Sequence, residues 1–219
     1  MELTFECDGA ALPLKIDQVV VAGWTGRDIA AVQHHIDELA AVGVPGPSTV
    51  PLYYRVSEGL LTQGDRIQVL GAGTSGEVEP LLICTDGRTY FGLASDHTDR
   101  DLETHSVAAS KQACAKPVAA MLWDMAEIEG HLEEITLRCW IVEDGAEVLY
   151  QEGTLAGIRP LAELCAGAGF GDGMAMLCGT FGAKGGVRPA GAYRMEAVDP
   201  RTGRSMTLSY AVEVLPIVA

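Results

Sequence analysis

The sequence predicts a β-rich α+β fold, and two observations support this prediction. Glycine is abundant, with 26 residues among 219, and it falls between short apolar runs that suit strands. Asp-Gly dipeptides separate two pairs of these runs, and Asp-Gly readily adopts the positive φ angles of a tight hairpin turn. Segments with helical spacing are fewer, so we expect a sheet core with few helices.

Three hairpins are predicted, each with two apolar strands joined by a turn rich in Asp, Gly or Pro. The strand pairs are 81–85 with 90–93, 135–142 with 148–150, and 192–198 with 205–214. The first turn is Asp86-Gly87 and the second is Asp144-Gly145.

Helical spacing is clearest over 28–42, where apolar residues recur every three or four positions before Gly43. A shorter helix is predicted over 161–167, whereas 116–125 suits either a helix or a strand. The three prolines of 43–51 indicate a joint between chain segments.

The domain organisation follows from that joint and from the length of the chain. We expect an N-terminal region, 1–50, which carries the predicted helix, and a β-rich core, 51–219. One continuous domain is the alternative, since a chain of this length can form a single core.

The composition excludes several classes of protein. The chain has 15 Lys and Arg against 30 Asp and Glu, a formal net charge of −15, which is the wrong sign for nucleic acid or an anionic membrane surface. No apolar stretch reaches the roughly 18–20 residues of a membrane span, and the N-terminus lacks the pattern of a signal peptide. We therefore expect a cytoplasmic protein with reduced cysteines that binds neither nucleic acid nor membrane.

Three carboxylates are candidates for a metal site. Glu77 and Glu79 follow a glycine-rich segment, and the alternation of a strand would place both on one face. The first hairpin would bring Asp96 beside them, and like charges held together need a cation. Oxygen ligands favour Mg2+, Mn2+ or Ca2+ over zinc. An acidic rim on a solvated hairpin is the alternative.

Other polar residues have both a catalytic and a purely structural interpretation. His35 and Glu38 lie three positions apart on the predicted helix, where the carboxylate could orient a general base or form an ordinary surface pair. Lys111 could hold an anionic group or be a surface lysine. The glycine-rich run 171–180 could offer backbone amides to an oxyanion or form only a turn.

The order of these motifs resembles that of the fumarylacetoacetate hydrolase superfamily from about Val20 to the C-terminus. The matching segments are Gly26-Arg27-Asp28 with His35-Ile36-Asp37-Glu38, Glu77-Val78-Glu79, Asp96 to Glu103, Lys111, Gln151 to Thr154, and Gly171-Asp172 to Gly179-Thr180. Taken in the same order, these segments are similar to that family's G-R-N motif and H-x-x-E lid helix, its E-x-E metal motif and its D-x-[ST]-x-R-D-[IL]-Q segment. The later ones are similar to its substrate-facing lysine, its Q-x-G-x-T stretch and its G-D-x-I-x-T-G-T-P loop. Glu103 and Phe181 depart from the family pattern, which has Gln and Pro there.

The resemblance implies a mixed, twisted β-roll core, a short N-terminal region with a lid helix, and a homodimer. It implies that Glu77, Glu79 and Asp96 hold Mg2+ or Mn2+, with Ca2+ as a further option. The residues it assigns to catalysis are His35, Glu38 and Lys111, and those it assigns to substrate binding are Arg27, Arg100, Gly179 and Thr180. The expected partner is a small anionic substrate, a 2-oxo acid or β-dicarbonyl compound.

The predicted reaction is C–C bond hydrolysis or decarboxylation through an enolate that the metal ion stabilises. A dehydratase or hydratase of a 2-keto-3-deoxy sugar acid is one alternative, and a ligand-binding relative without turnover is another. A plain β-domain with an acidic rim would show no effect of divalent ions on its melting temperature. His97 could be a pocket donor or a buried structural histidine, and Glu103 has no assigned role.

Overall fold

The structure is a computed structural model, and it describes residues 1–41 and 46–218, without the side chains at positions 35, 38, 39 and 41. The strands are β1 (Glu2–Cys7), β2 (Ala10–Lys15), β3 (Gln18–Gly23), β4 (Leu52–Val56), β5 (Leu61–Thr62), β6 (Arg66–Leu70), β7 (Thr74–Ser75), β8 (Val78–Thr85), β9 (Arg88–Ser95), β10 (Thr98–Asp99), β11 (Lys116–Pro117), β12 (Trp123–Asp124), β13 (Thr136–Glu143), β14 (Ala146–Thr154), β15 (Met174–Leu177), β16 (Ala192–Val198) and β17 (Ser205–Leu215). The α-helices are α1 (Ile29–Ala41), α2 (Arg100–Glu103), α3 (Val107–Gln112), α4 (Met125–Ile128) and α5 (Leu161–Ala168), and the 3-10 segments are Glu58–Leu60, Glu129–Glu134 and Leu155–Gly157.

Two mixed sheets form the core. The larger has the strand order β12-β9-β8-β15-β3-β4, and the second has the order β14-β13-β16-β17-β6. Their neighbouring strands are antiparallel except for β15 with β3 and β17 with β6. The predicted β-rich α+β architecture is therefore confirmed.

The three predicted hairpins are confirmed as β8 with β9, β13 with β14, and β16 with β17. In the first two turns Asp86 and Asp144 have φ angles of 50° and 49°, and the glycine after each also has a positive φ. Asn, Asp and Gly tolerate this conformation better than other residues. The local turn chemistry therefore determines where these strands reverse.

The predicted helix over 28–42 is observed as α1 within the described residues, while its expected stop at 43–45 lies outside them. The Asp28 carboxylate caps α1 by accepting the backbone N–H of Ala30 at 2.9 Å and of Ala31 at 3.1 Å. The helix predicted over 161–167 is α5, and the ambiguous segment 116–125 contains β11, β12 and the first residue of α4. None of the described helices has the length and apolar character needed to cross a membrane.

Both faces of the larger sheet are buried. Leu82 and Phe91 belong to one apolar cluster, which also contains side chains of the second sheet such as Met195. Leu81 and Ile83 project from the opposite face into a second cluster under the β1–β2 hairpin. Because β8 is covered on both sides, carboxylates at its beginning lie at the edge of an apolar interior.

The strand β3 was not predicted, and it connects the N-terminal region to the core. It lies between β15 and β4 in the larger sheet, with Val19 opposite both Ala175 and Val56. This placement favours one continuous domain, although the boundary at residue 50 stays a prediction.

Candidate metal centre

Glu77, Glu79 and Asp96 form a carboxylate cluster where the β8–β9 hairpin opens. One carboxylate oxygen from each residue lies within 4.8 Å of the others. Val78 pairs with Ser95, and the backbone N–H of Asp96 donates to the carbonyl of Glu77 at 3.0 Å. The hairpin therefore brings together the three carboxylates that the sequence singled out, in a group that could hold a divalent cation.

The electrostatics of the cluster fit a hard cation. Burial and the neighbouring Asp96 carboxylate raise the pKa of Glu79 well above its usual range. The backbone N–H of Gly179 opposes this shift by donating to Glu79 Oε2 at 2.7 Å. An all-oxygen set of this kind suits Mg2+, Mn2+ or Ca2+, because a shared cation relieves the repulsion between the carboxylates.

Two lysine ammonium groups contact Asp96. Lys111 Nζ, on α3, bonds to Asp96 Oδ2, and Lys116 Nζ, on β11, lies 3.1 Å from Asp96 Oδ1. Burial alone would raise the pKa of Asp96, but the two lysines together hold it below its usual range. Within the described residues Asp96 Oδ1 accepts no hydrogen bond of good geometry, so it keeps capacity for a further ligand.

Lys116 is a site residue that sequence reasoning missed. It fell within a segment that suited helix or strand equally, and nothing local distinguishes it from a surface lysine. Its neighbours in space are residues far away along the chain, such as Leu61, which is its partner in the β11–β5 pair. Only the packing of the sheets reveals that its side chain is buried.

Arg100 belongs to the same charged group but contacts protein side chains. Its Nη2 lies 3.2 Å from Glu77 Oε1, its Nη1 donates to Glu103 Oε2 at 2.9 Å, and its Nε donates to Ser75 Oγ at 2.7 Å. In this arrangement Arg100 orients Glu77, and Glu103 pairs with Arg100. The predicted contact of Arg100 with substrate stays a prediction.

The loop after β15 closes against the beginning of β8. Gly179 has a φ of 100°, and a Cβ at this position would lie 1.7 Å from Thr25 Oγ1, so only glycine fits. Thr180 Oγ1 donates to the carbonyl of Val78 at 2.7 Å and accepts from Gln151 Nε2 at 2.9 Å. The Thr180 hydroxyl is thus engaged with the protein, and its predicted role in substrate binding stays a prediction.

His97 is completely buried next to Asp96. Its Nδ1 lies 3.0 Å from the Tyr210 hydroxyl and its Nε2 lies 2.9 Å from Thr74 Oγ1. Burial and the nearby positive charges of Lys116 and Arg100 lower the pKa of His97 to about 3. The geometry favours a neutral, structural histidine that links the two sheets, the second of the two interpretations.

The remaining predicted residues lie in the N-terminal part of the chain. The Arg27 guanidinium contacts Glu133 Oε1 at 2.7 Å and donates to the carbonyl of Ile158 at 3.1 Å, so its described contacts are with the protein. The side chains of His35 and Glu38 lie outside the described part of the structure. Their catalytic roles, like that of Arg27 in substrate binding, stay predictions.

A cavity of about 260 Å³ is lined by residues that include Tyr54, whose ring centroid is 5.6 Å from Lys111 Nζ. Val107 and Ala108, on the same helix as Lys111, also line it, together with the polar side chains of Ser48 and His105.

The comparisons with known proteins agree with this architecture. The family model described as "Protein of unknown function (DUF2848)" matches residues 22–210. A search of the curated proteins finds no match.

Several solved structures are similar to this one. Cg1458 with an inhibitor is 16% identical, with a TM-score of 0.69 over 95% of this chain and 84% of that chain. A 2-keto-3-deoxy-D-arabinonate dehydratase complexed with magnesium and 2,5-dioxopentanoate is 16% identical, with a TM-score of 0.65 over 94% and 75%. The 4-oxalocrotonate decarboxylase from Pseudomonas putida G7, complexed with calcium and acetate, is 14% identical, with a TM-score of 0.58 over 89% and 76%. The chain therefore belongs to the DUF2848 family and has the fold of the fumarylacetoacetate hydrolase superfamily that its motifs predict.

Proposed function

We propose that this protein is a divalent-metal-dependent enzyme that acts on a 2-oxo acid or β-dicarbonyl compound, by C–C bond hydrolysis or decarboxylation through an enolate. The observation that carries the proposal is the cluster of the buried Glu79 and Asp96 with the partly buried Glu77, beside Lys111. Such a concentration of buried charge is costly to stability, and it is typical of functional sites.

The three carboxylates would hold Mg2+ or Mn2+, and Ca2+ is a further candidate. A bound divalent cation supplies Lewis-acid stabilisation of the negative charge that develops on an enolate oxygen. Two proteins of similar fold support this choice, since one is described as complexed with magnesium and the other with calcium.

The protein's own residues have distinct tasks in this proposal. The Gly179 N–H and Arg100 orient the carboxylates of Glu79 and Glu77. Lys111, at the side of the cluster that faces Tyr54, donates from Nζ to the carboxylate of the substrate.

The lid helix would supply the proton transfer. His35 accepts a proton from water at an imidazole nitrogen, and Glu38 orients the ring. Substrate contacts from Arg27, Arg100, Gly179 and Thr180 complete the set that the family resemblance assigns. A homodimeric assembly and a cytoplasmic location are likewise part of the proposal.

Dehydration of a 2-keto-3-deoxy sugar acid is the second candidate. The cavity lined by Tyr54 favours it, because Ser48 and His105 also line that cavity and carry groups that could bond to the hydroxyls of such a substrate. A protein of similar fold is described as a 2-keto-3-deoxy-D-arabinonate dehydratase. A screen for pyruvate against a 2-oxo semialdehyde as the product would separate the two candidates.

The first experiment is a calorimetric titration of oxalate into the metal-stripped protein, with and without Mg2+. Oxalate imitates the planar enolate of a 2-oxo acid, and we expect it to bind only when Mg2+ is present. The Glu79→Gln variant is the control, and it should bind oxalate in neither condition. Equal binding without Mg2+, or no binding in either condition, would contradict the proposed metal site. Binding without any turnover would instead favour a ligand-binding relative.

A further inference from the structure

Lys116 is a fully buried lysine that the proposed reaction does not use. Its side chain has 0% exposure, and its Nζ lies 3.1 Å from Asp96 Oδ1. The same Nζ donates to the backbone carbonyl of His97 at 2.5 Å. Lysine is almost never fully buried unless it is paired, because an ammonium group loses its hydration there. The contact with Asp96 is therefore the feature of this lysine that needs a functional explanation.

Three cationic groups face the three carboxylates of the cluster. Arg100 contacts Glu77, and Lys111 and Lys116 share the two oxygens of Asp96. With all six groups ionised these charges cancel, and a divalent cation on the carboxylates would then add two positive charges to the centre. Glu103, which also contacts Arg100, is 26% exposed and is partly screened by solvent.

The two lysines occupy different sides of Asp96. Lys111 Nζ lies 5.6 Å from the ring centroid of Tyr54, which also lines the cavity, so we place the bound anion on this side. Lys116 lies behind Asp96, where β11 pairs with β5 and the His97 carbonyl holds its Nζ. We therefore expect Lys116 to keep its contact with Asp96 when a ligand binds.

We propose that Lys116 is a positioning residue that sets the charge of the metal-loaded centre, so that the site takes a ligand with two negative charges. Oxalate has this charge, and so does a 2-oxo acid once it becomes an enolate. The buried ammonium repels the cation and attracts the dianion, and both effects are strong at short range in a poorly hydrated site. This inference rests on the proposed function, because it needs a cation on Glu77, Glu79 and Asp96.

The test uses Lys116→Met, which keeps an unbranched stem and removes the charge. We expect the affinity for Mn2+ to rise at least about tenfold and the affinity of the Mn2+-loaded protein for oxalate to fall at least about tenfold. The signal of free Mn2+ in electron paramagnetic resonance measures the first quantity, and calorimetry measures the second. Disturbed packing would weaken both affinities, so the opposite shifts distinguish a charge effect from a structural one.

Two further variants complete the design. Lys116→Gln removes the charge but keeps a donor for the His97 carbonyl, and it should shift both affinities in the same directions as Lys116→Met. Lys15→Met removes the charge of a lysine whose side chain is 76% exposed, and it should change neither affinity.

In the unchanged protein loaded with Mn2+, oxalate should bind at least about tenfold more tightly than glycolate, a monoanion of similar size.

Each result bears on one proposal. No Mn2+ binding by the unchanged protein would contradict the proposed function itself. A different outcome is that the unchanged protein binds Mn2+ while the neutral Lys116 variants have both affinities reduced or unaltered. That outcome would overturn the role of Lys116 and leave the proposed function standing. Equal affinities for oxalate and glycolate would also overturn it.

Discussion

The turn between β16 and β17 contains a buried carboxylate whose effect on stability can be calculated. Asp199 has 0% exposure and accepts hydrogen bonds from Thr202 Oγ1 at 2.8 Å and from the Arg201 N–H at 2.9 Å. His131 Nε2 lies 3.0 Å from Asp199 Oδ1. Burial alone would raise the pKa of Asp199, but these partners outweigh it and lower the pKa to about 2. Asp199 therefore connects the 3-10 segment Glu129–Glu134 to the last hairpin.

The sign and size of the effect follow from proton linkage. An unfolded Asp has a pKa of about 3.9, so the folded protein binds fewer protons between that value and about pH 2. The stabilisation is fully present above about pH 5 and is lost as the pH falls towards 2. The difference of about 2 pKa units corresponds to roughly 2–3 kcal/mol in the free energy of unfolding.

The assay is urea denaturation of the unchanged protein and of Asp199→Asn at several pH values between 2 and 7. The unchanged protein should be the more stable at pH 7, and its advantage should shrink by about 2 kcal/mol as the pH falls to 2, with the remainder lost below pH 2. The control is Asp144→Asn, because an Asn-Gly turn suits the same exposed hairpin, and its stability should follow that of the unchanged protein. A constant advantage over Asp199→Asn at every pH would refute the reasoning.

Three further predictions concern the candidate metal centre. Glu79→Gln should abolish turnover and the rise in melting temperature that Mg2+ produces, and turnover that survives would contradict a metal role. Gly179→Ala should lower the free energy of unfolding by about 1–3 kcal/mol in urea denaturation, whereas Gly171→Ala, where a Cβ meets nothing within 4 Å, should not. Lys111→Met should weaken calorimetric oxalate binding by the Mn2+-loaded protein at least about tenfold, and an unchanged affinity would remove Lys111 from substrate binding.

Much of the fold could be predicted because the signals are local. The turns at Asp86-Gly87 and Asp144-Gly145 join strands that are neighbours in the sequence, so a few residues determine each reversal. The parallel pairing of β3 with β15 could not be predicted, since more than a hundred residues separate Val19 from its partner Ala175. Such a pairing depends on the packing of the whole sheet.

The residues of the candidate site also divide into those that local sequence groups together and those that only the packing of distant segments brings to the site. Glu77, Glu79 and Asp96 could be grouped from the sequence because a single hairpin brings them together. Lys116 could not, because its burial requires β11 to pack beside β5. Other assigned residues gained contacts that no motif shows, such as the bonds of the Thr180 hydroxyl to Val78 and Gln151.

By itself the sequence determined the β-rich architecture, the hairpins, the first helix and the identity of the three clustered carboxylates. Only the tertiary structure decided how the charges of that cluster are balanced, with Lys111 and Lys116 on Asp96 and Arg100 on Glu77. Turns and strand alternation depend on residues close together in the chain. Burial and ion pairing depend on segments that meet only when the two sheets pack, so they belong to the folded molecule as a whole.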